Sequence, residues 1–410
     1  MEPKIRFKGF EGEWKDTNLG NISNNFKYGI NAAAIPYDGK NKYLRITDID
    51  DTTHVFLQDN LTSPGADLSY CDEYIMQDGD IVIARTGASV GKSYVYHTVD
   101  GKIYFAGFLI RVRTNKEVNK DFIFQKTLTN AYTKHIQFVS QRSGQPGVNV
   151  NELKSFSFLI PRDKEEQQAI ASYFISLDSQ ISAATSRLAS LKQMKAASLQ
   201  AMFPQEGETV PKIRFKGFEG EWKKKLLNEC LSVCTEKNFD NIYNKEDVLS
   251  VSDDFGICNQ IKLLGRSYAG KSVANYGILQ TGYIVYTKSP LKAKPYGIIK
   301  TNHGPTGIVS TLYAIYAPKK DTNADFIEVY FDHAERLNKY IHPLVNKGAK
   351  NDMKVSSENA LKGFIMIPSL AEQQAIASYF TSLDRQISLQ SQRLEKLKQI
   401  KSACLDKMFV

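Results

Sequence analysis

The nine residues EQQAIASYF occur twice without a change, at 166–174 and again at 372–380. An internal repeat of this kind constrains architecture more than any other sequence feature, because each copy must serve as one structural unit. The repetition extends further: PKIRFKGFEGEWK at 3–15 returns unaltered at 211–223, and the segment 165–203 matches 371–409 over most of its length. Each half of the 410-residue chain therefore has a shared head, a private middle and a shared tail. This organisation predicts a first domain over 1–163, a central long helix over 164–204, a second domain over 205–369 and a C-terminal long helix over 370–410.

The middles differ in letters yet carry the same landmarks in the same order. MQDGDIVIAR at 76–85 parallels LQTGYIVYTK at 279–288, each a glycine turn followed by a β-branched and aromatic strand that ends on a cation. One further strand is expected from Lys102 and from Gly307. A helical stretch follows, with Phe124, Leu128, Tyr132 and Ile136 on one face, or Phe326, Tyr330, Leu337 and Ile341. A closing strand ends at Pro161 or Pro368, where proline stops further pairing.

The tails carry apolar residues at alternating steps of four and three, the seam of a coiled coil. In the first these are Ile170, Phe174, Leu177, Ile181, Ala184, Leu188 and Leu191; in the second Ile376, Phe380, Leu383, Ile387, Gln390, Leu394 and Leu397. A helix of about 35 residues is roughly 50 Å long and, with one apolar stripe, needs a partner. The matching seams predict that the two helices pair with each other, antiparallel; the alternative is that each folds back on its own domain. The expected fold class is α+β: two mixed, strand-rich domains separated by two long antiparallel coiled-coil helices, with a pseudo-two-fold internal repeat.

A net charge of +9 and a pI near 9.0 favour a polyanionic partner, although solvated lysines give the same numbers. The five scattered cysteines suit a reducing compartment. Neither a signal-like N-terminus nor an apolar run of about 18 residues occurs, so a cytoplasmic chain without a membrane partner is expected.

Catalytic motifs are few. RTGASVGKS at 85–93 ends like a phosphate loop, but its glycines enclose three residues where four are needed, and a strand pattern follows where a helix should open. FKGFEG has no strand leading into it and reads as a polar turn pinned by Phe7, Phe10 and Trp14. His54, His97, His135, His303, His333 and His342 form no metal-ligand spacing and read as surface or capping residues. No catalytic, cofactor or metal residue is therefore assigned, and an enzyme would need a phosphate or metal site dispersed through one middle.

What remains is binding. Two loops in each middle are polar, basic and glycine-bearing, a chemistry that can reach base edges and phosphates. The first middle offers Arg85, Thr86, Ser89 and Lys92, then Arg142, Ser143 and Gln145. The second offers Lys288, Ser289, Lys292 and Lys294, then Lys347, Lys350 and Asn351. These are the candidate DNA-binding residues. A coiled-coil adaptor with no affinity for nucleic acid is the competing reading.

The duplicated heads, the E-Q-Q-A-I-A-S-Y-F-x-S-L-D lead-in to each helix, separated from Pro161 by four residues and from Pro368 by three, and the dissimilar middles together resemble the specificity (S) subunit of type I restriction-modification enzymes, over essentially the whole chain. The resemblance implies that each middle is a target recognition domain reading one part of a split site in double-stranded DNA. It also implies that the paired helices act as spacer and bind two methyltransferase (modification) subunits, with two restriction/translocase subunits in the full complex. S-adenosylmethionine, ATP and magnesium would then belong to partner subunits, with no cofactor in this chain. PRDKEEQ and PSLAEQ are shorter and more charged than the proline-rich lead-in of that family.

Overall fold

The computed structural model describes residues 2–288, 294–347 and 353–409. The chain divides into two compact units, Met1–Arg187 with Gln390–Val410, and Leu188–Leu389. This division cuts through both long helices, Lys164–Ala201 and Leu370–Met408. Each unit thus contains the start of one helix and the end of the other, whereas the sequence boundaries treat each helix as a segment of its own.

Both units are built on a four-stranded antiparallel sheet of identical order. In the first the strands run Ser23–Tyr28, Leu109–Thr114, Asp80–Ala84, Ser93–Val95; in the second, Leu231–Cys234, Ala314–Pro318, Ile284–Tyr286, Ile299–Thr301. The stretch expected as one strand after Lys102 is two, Ile103–Phe105 and Leu109–Thr114, and its counterpart is Gly307–Val309 and Ala314–Pro318. At the break the chain passes close to its neighbour, and a Cβ on Gly107 would stand 3.2 Å from the carbonyl oxygen of Ile30. The short strand before the break is flanked by the same two neighbours in each unit, with the emphasis reversed. Ile103–Phe105 ladders with Lys42–Leu44 and touches Ile75 by one bridge; Gly307–Val309 ladders with Gly277–Leu279 and touches Val248 by one bridge.

The helical stretch is likewise two helices in each unit. Lys120–Lys126 is followed by Asn130–Val139, and Ala324–Asp332 by Ala334–Ile341. A new N-cap causes each break: the Thr129 side chain accepts the amide of Tyr132, and His333 accepts that of Arg336.

Head and helix start are locked together. Strand Lys15–Asn18 pairs with Ser157–Ile160, and Lys223–Leu226 pairs with Phe364–Ile367, in the same register. Arg6 donates through two nitrogens to Glu166, at 2.7 and 2.8 Å, and to the carbonyls of Glu11 and Gly12. Arg214 repeats this on Glu372, at 2.7 Å twice, and on the carbonyls of Glu219 and Gly220. The glycine turns that present these carbonyls have positive φ in both copies, 100° and 84° at Gly9 and Gly12, 98° and 78° at Gly217 and Gly220. The next repeated residue takes over the adjoining helix: Gln167 accepts the amide of Asn119 and donates to the Pro161 carbonyl, as Gln373 does with Asn323 and Pro368.

The remaining letters of EQQAIASYF fill the core. Ile170, Ala171 and Phe174 join Trp14, Phe122 and Phe158, while Ile376, Ala377 and Phe380 join Trp222, Phe326 and Ile367. Tyr173 and Tyr379 meet Phe7 and Phe215 edge to face. The letter-for-letter repeat therefore has a structural cause inside each unit.

The helices run antiparallel within each unit. In the first, Asp178 pairs with Lys401 at 2.6 Å, Tyr173 lies 3.4 Å from Cys404 Sγ, and Gln390 donates to the Ala184 carbonyl. In the second, Lys195 pairs with Asp384 at 2.7 Å, and the hydroxyls of Ser198 and Tyr379 are 3.0 Å apart. Ile170, Phe174, Leu177, Ile181, Leu191, Ile376, Phe380 and Leu383 are buried, whereas Leu188, Ile387, Leu394 and Leu397 are half-buried. The two readings of the seam, mutual pairing and packing on the globular part, meet in each unit, because the end of one helix completes the core around the start of the other. Phe203 stacks among Trp222, Phe326, Tyr330 and Phe380, and Phe409 among Phe122 and Phe174. Among the described residues, no helix is long and apolar enough to cross a membrane.

Candidate nucleic-acid interface

In the first unit the two polar loops are one structure. Loop 85–92 leaves strand Asp80–Ala84 and returns into Ser93–Val95, which is why its Gly-Lys-Ser ending leads to no helix. Thr86 bridges Gly147, the Gly87 amide donates to the Pro146 carbonyl, and the Val148 amide donates to that of Arg85. Gly87 has φ +80° and leaves room for Gln145, whose Nε2 would be 2.9 Å from an added Cβ. Sequence reasoning proposed these loops separately, and the fold clasps them together.

The side chains on that clasp fall into two groups. Arg85 lies over the Tyr28 ring at 4.8 Å, with a buried Nε that makes no hydrogen bond. Ser143 and Gln145 are exposed, and Thr86 and Ser89 are half-buried. Lys92 turns inward instead: its side chain is 11% exposed and its ammonium is held by Asp51 at 2.7 Å and by the Ile49 carbonyl. Arg142 is tied to Glu152 and to the carbonyls of Val139 and Gln141. Both cations are thus engaged in holding the loops, which narrows the set free to meet a partner.

Two aromatic residues beside Arg85 went unnoticed in the sequence. Phe108, 62% exposed, sits at the turn between Ile103–Phe105 and Leu109–Thr114, and its carbonyl accepts the Arg85 amide at 3.0 Å. Tyr28 is 39% exposed beneath the guanidinium. The signal was present in the A-G-F tripeptide at 106–108, where glycine interrupts a strand pattern. An exposed ring, a guanidinium on a second ring, hydroxyls and a carboxamide can together stack on a base and hydrogen-bond its edge.

The second unit keeps the scaffold and changes the chemistry. Lys288 stands at the end of Ile284–Tyr286, as Arg85 stands after its strand, and adopts φ +54°, the left-handed region that a non-glycine residue seldom enters. Burial first, and the Lys237 charge second, push its ammonium below the ordinary lysine value. The Glu358 carboxylate acts the other way, against both. Leu312, 65% exposed, occupies the turn that Phe108 occupies in the first unit. Lys294 points inward to Asp253 at 2.8 Å and Asp332 at 3.3 Å, so burial in ion pairs removes it from the open face. Ser289, Lys292, Lys350 and Asn351 lie outside the described residues; Lys347 is in strand Asn346–Lys347, paired with Met353–Lys354, with its side chain outside the description. Further exposed aromatics are Phe255, in the turn of the hairpin formed by Leu249–Ser252 and Gly256–Asn259, and Tyr268, whose ring lies 4.6 Å from the Arg266 guanidinium.

Similarity to known proteins follows this geometry. Residues 11–193 and 268–399 match the family described as the type I restriction modification DNA specificity domain. A solved S subunit of a type I restriction-modification system from M. genitalium is similar over 100% of this chain and 99% of its own, with TM-score 0.62 and 14% identity. The HsdS subunit from Thermoanaerobacter tengcongensis is similar over 99% of both chains, with TM-score 0.42 and 16% identity. No curated protein sequence matches. The repeated matches to one family model, over most of the chain, identify the protein as a member of the type I restriction-modification DNA specificity family.

Proposed function

We propose that each unit reads one short element of a bipartite, asymmetric site in double-stranded DNA. The first unit reads through Arg85, Phe108, Tyr28, Thr86, Ser89, Ser143 and Gln145, the second through Lys288, Leu312 and the loops around them. The long helices set the spacing between the two elements and, with the repeated heads, dock two identical methyltransferase subunits. Catalysis belongs to those partners and to restriction subunits, which supply the S-adenosylmethionine, ATP and magnesium chemistry; this chain supplies the address. A cytoplasmic location accords with the task.

One observation carries the reading: the Arg6–Glu166 and Arg214–Glu372 locks agree to within 0.1 Å, while the loops mounted on the same sheet order share almost no sequence. Mapping methylated adenines in DNA modified by the assembled complex tests it. Two unequal short elements with a constant unread gap are expected, and a single uninterrupted element would refute it.

A further inference from the structure

The first unit contains a cavity of about 600 Å³ that no part of the DNA-reading proposal uses. Its floor is apolar, formed by Leu128, Tyr132 and Ile136, and its rim carries Lys92, Lys398 and Lys401. That volume falls within the range of small-molecule pockets.

Comparison with the second unit shows what the cavity lacks. Leu128 and Asp332 hold the same position, each directly before the N-cap of the second short helix, Thr129 or His333. Lys401 and Lys195 correspond within the repeated tails, as do their partners Asp178 and Asp384. In the second unit Lys195 lies 2.7 Å from both Asp384 and Asp332, and Asp332 also receives Lys294 from the loop at 3.3 Å. Burial alone would raise the Asp332 carboxyl, but Lys195, Lys300 and Lys294 outweigh it and hold it at about 2. In the first unit Lys401 meets Asp178 at 2.6 Å, and a leucine stands where the second carboxylate would be.

The other rim groups do not replace that carboxylate. Lys92 is matched by Asp51 at 2.7 Å, and Lys398 is an exposed cation on the second long helix. His54, read from the sequence as a surface or capping residue, is instead half-buried edge-on to Phe124, with Nδ1 at 2.8 Å from the Ser93 carbonyl. Burial, and then the charges of Lys401 and Lys92, keep its imidazole below the usual histidine value, so it adds no charge of its own at neutral pH. The cavity therefore combines an apolar floor with an excess of positive charge at one edge.

We propose that this cavity binds a small organic anion, a single carboxylate, sulfonate or phosphate on an apolar body of one or two rings. The anionic group meets Lys401 and Lys398 from the cavity, supplying the charge that Asp332 supplies to Lys195 in the second unit, and the rings lie on Leu128, Tyr132 and Ile136. The inference does not depend on the DNA-reading proposal.

The test titrates the full chain with 1-anilinonaphthalene-8-sulfonate, which has an apolar body and one fixed negative charge, and with the uncharged N-phenyl-1-naphthylamine. One saturable site is expected, with the uncharged probe at least about tenfold weaker. Leu128→Asp restores the internal carboxylate and should weaken sulfonate binding about tenfold, while Lys398→Glu, at an exposed position, should weaken it about fivefold. Circular dichroism and thermal melting establish that each variant folds; should Leu128→Asp fail to, Lys398→Glu decides. No saturable binding by the unaltered chain, equal affinity for the two probes, or unchanged sulfonate binding in a folded Lys398→Glu chain would each overturn the proposal.

Discussion

The two units of this protein use the same sheet order, the same register between head and closing strand, and the same arginine–glutamate lock, yet present different surfaces at one end of that frame. The first has a guanidinium on a tyrosine beside an exposed phenylalanine; the second has a half-buried lysine in a left-handed conformation beside an exposed leucine. Identity is concentrated where the chain closes on itself, and difference in the loops at the strand ends. A residue repeated between the units is thereby explained first by internal bonding, and only its exposed remainder is available for a duplicated partner.

The comparison breaks most visibly if the terminal phenylalanines are truncated. Phe203→Ala should destabilise the unit Leu188–Leu389 by about 3 to 5 kcal/mol, and Phe409→Ala the other unit by somewhat less, since Phe203 is fully buried and Phe409 is 8% exposed. Hydrogen exchange resolved by unit reads which one opens, and opening of the wrong unit would contradict the packing described. Arg6→Ala and Arg214→Ala come next. Each takes the cation from a glutamate whose side chain is 2% exposed, so each should cost about 3 kcal/mol in its own unit. Unequal costs in chemical denaturation would show that the two locks differ more than their geometry.

Both locks were hidden in a fully legible sequence. The repeat, the strand-rich α+β class and the helix seams could be read from the sequence pattern, because apolar spacing reports which face is buried; the four-stranded order of each sheet could not. Glu166 and Gln167 could not be assigned roles, since their partners Arg6 and Asn119 are 160 and 48 residues distant and no local pattern announces them. The single strand expected after Lys102 failed because a tripeptide turn at 106–108 preserves the apolar pattern on both sides. The candidate interface was half legible. Composition picked out loops 85–92 and 141–151, but Lys92 and Arg142 are held by Asp51 and Glu152, and a cation count cannot tell an anchored cation from a free one. Phe108 and Leu312 were missed because an exposed apolar residue at a strand break looks like core in the sequence.

Binding measurements sharpen the difference between units. Arg85→Ala and Phe108→Ala should each weaken DNA binding by about 1 to 3 kcal/mol and relax preference in one element alone. An equal loss on random DNA would reassign Arg85 to phosphate contact. Lys294→Ala should affect stability more than binding, because its charge is matched by Asp253 and Asp332.

The smallest effect expected is a pH dependence. His54 has its proton affinity lowered by burial in the folded state, so the unfolded chain binds the proton more tightly. Stability of the first unit is therefore complete above the ordinary histidine value of 6.5 and declines as pH falls below it. His54→Gln should flatten that decline in melting temperature between pH 7 and pH 5, and an unchanged slope would show that another group titrates.

The most direct measurement is the modified sequence itself after a loop exchange. Loops 85–92 and 141–149 are replaced together by those of another member of this family, and adenine methylation by the assembled complex is mapped. One element of the target should change while the other element and the gap remain. A change in both elements, or in neither, would contradict the assignment of one element to each unit.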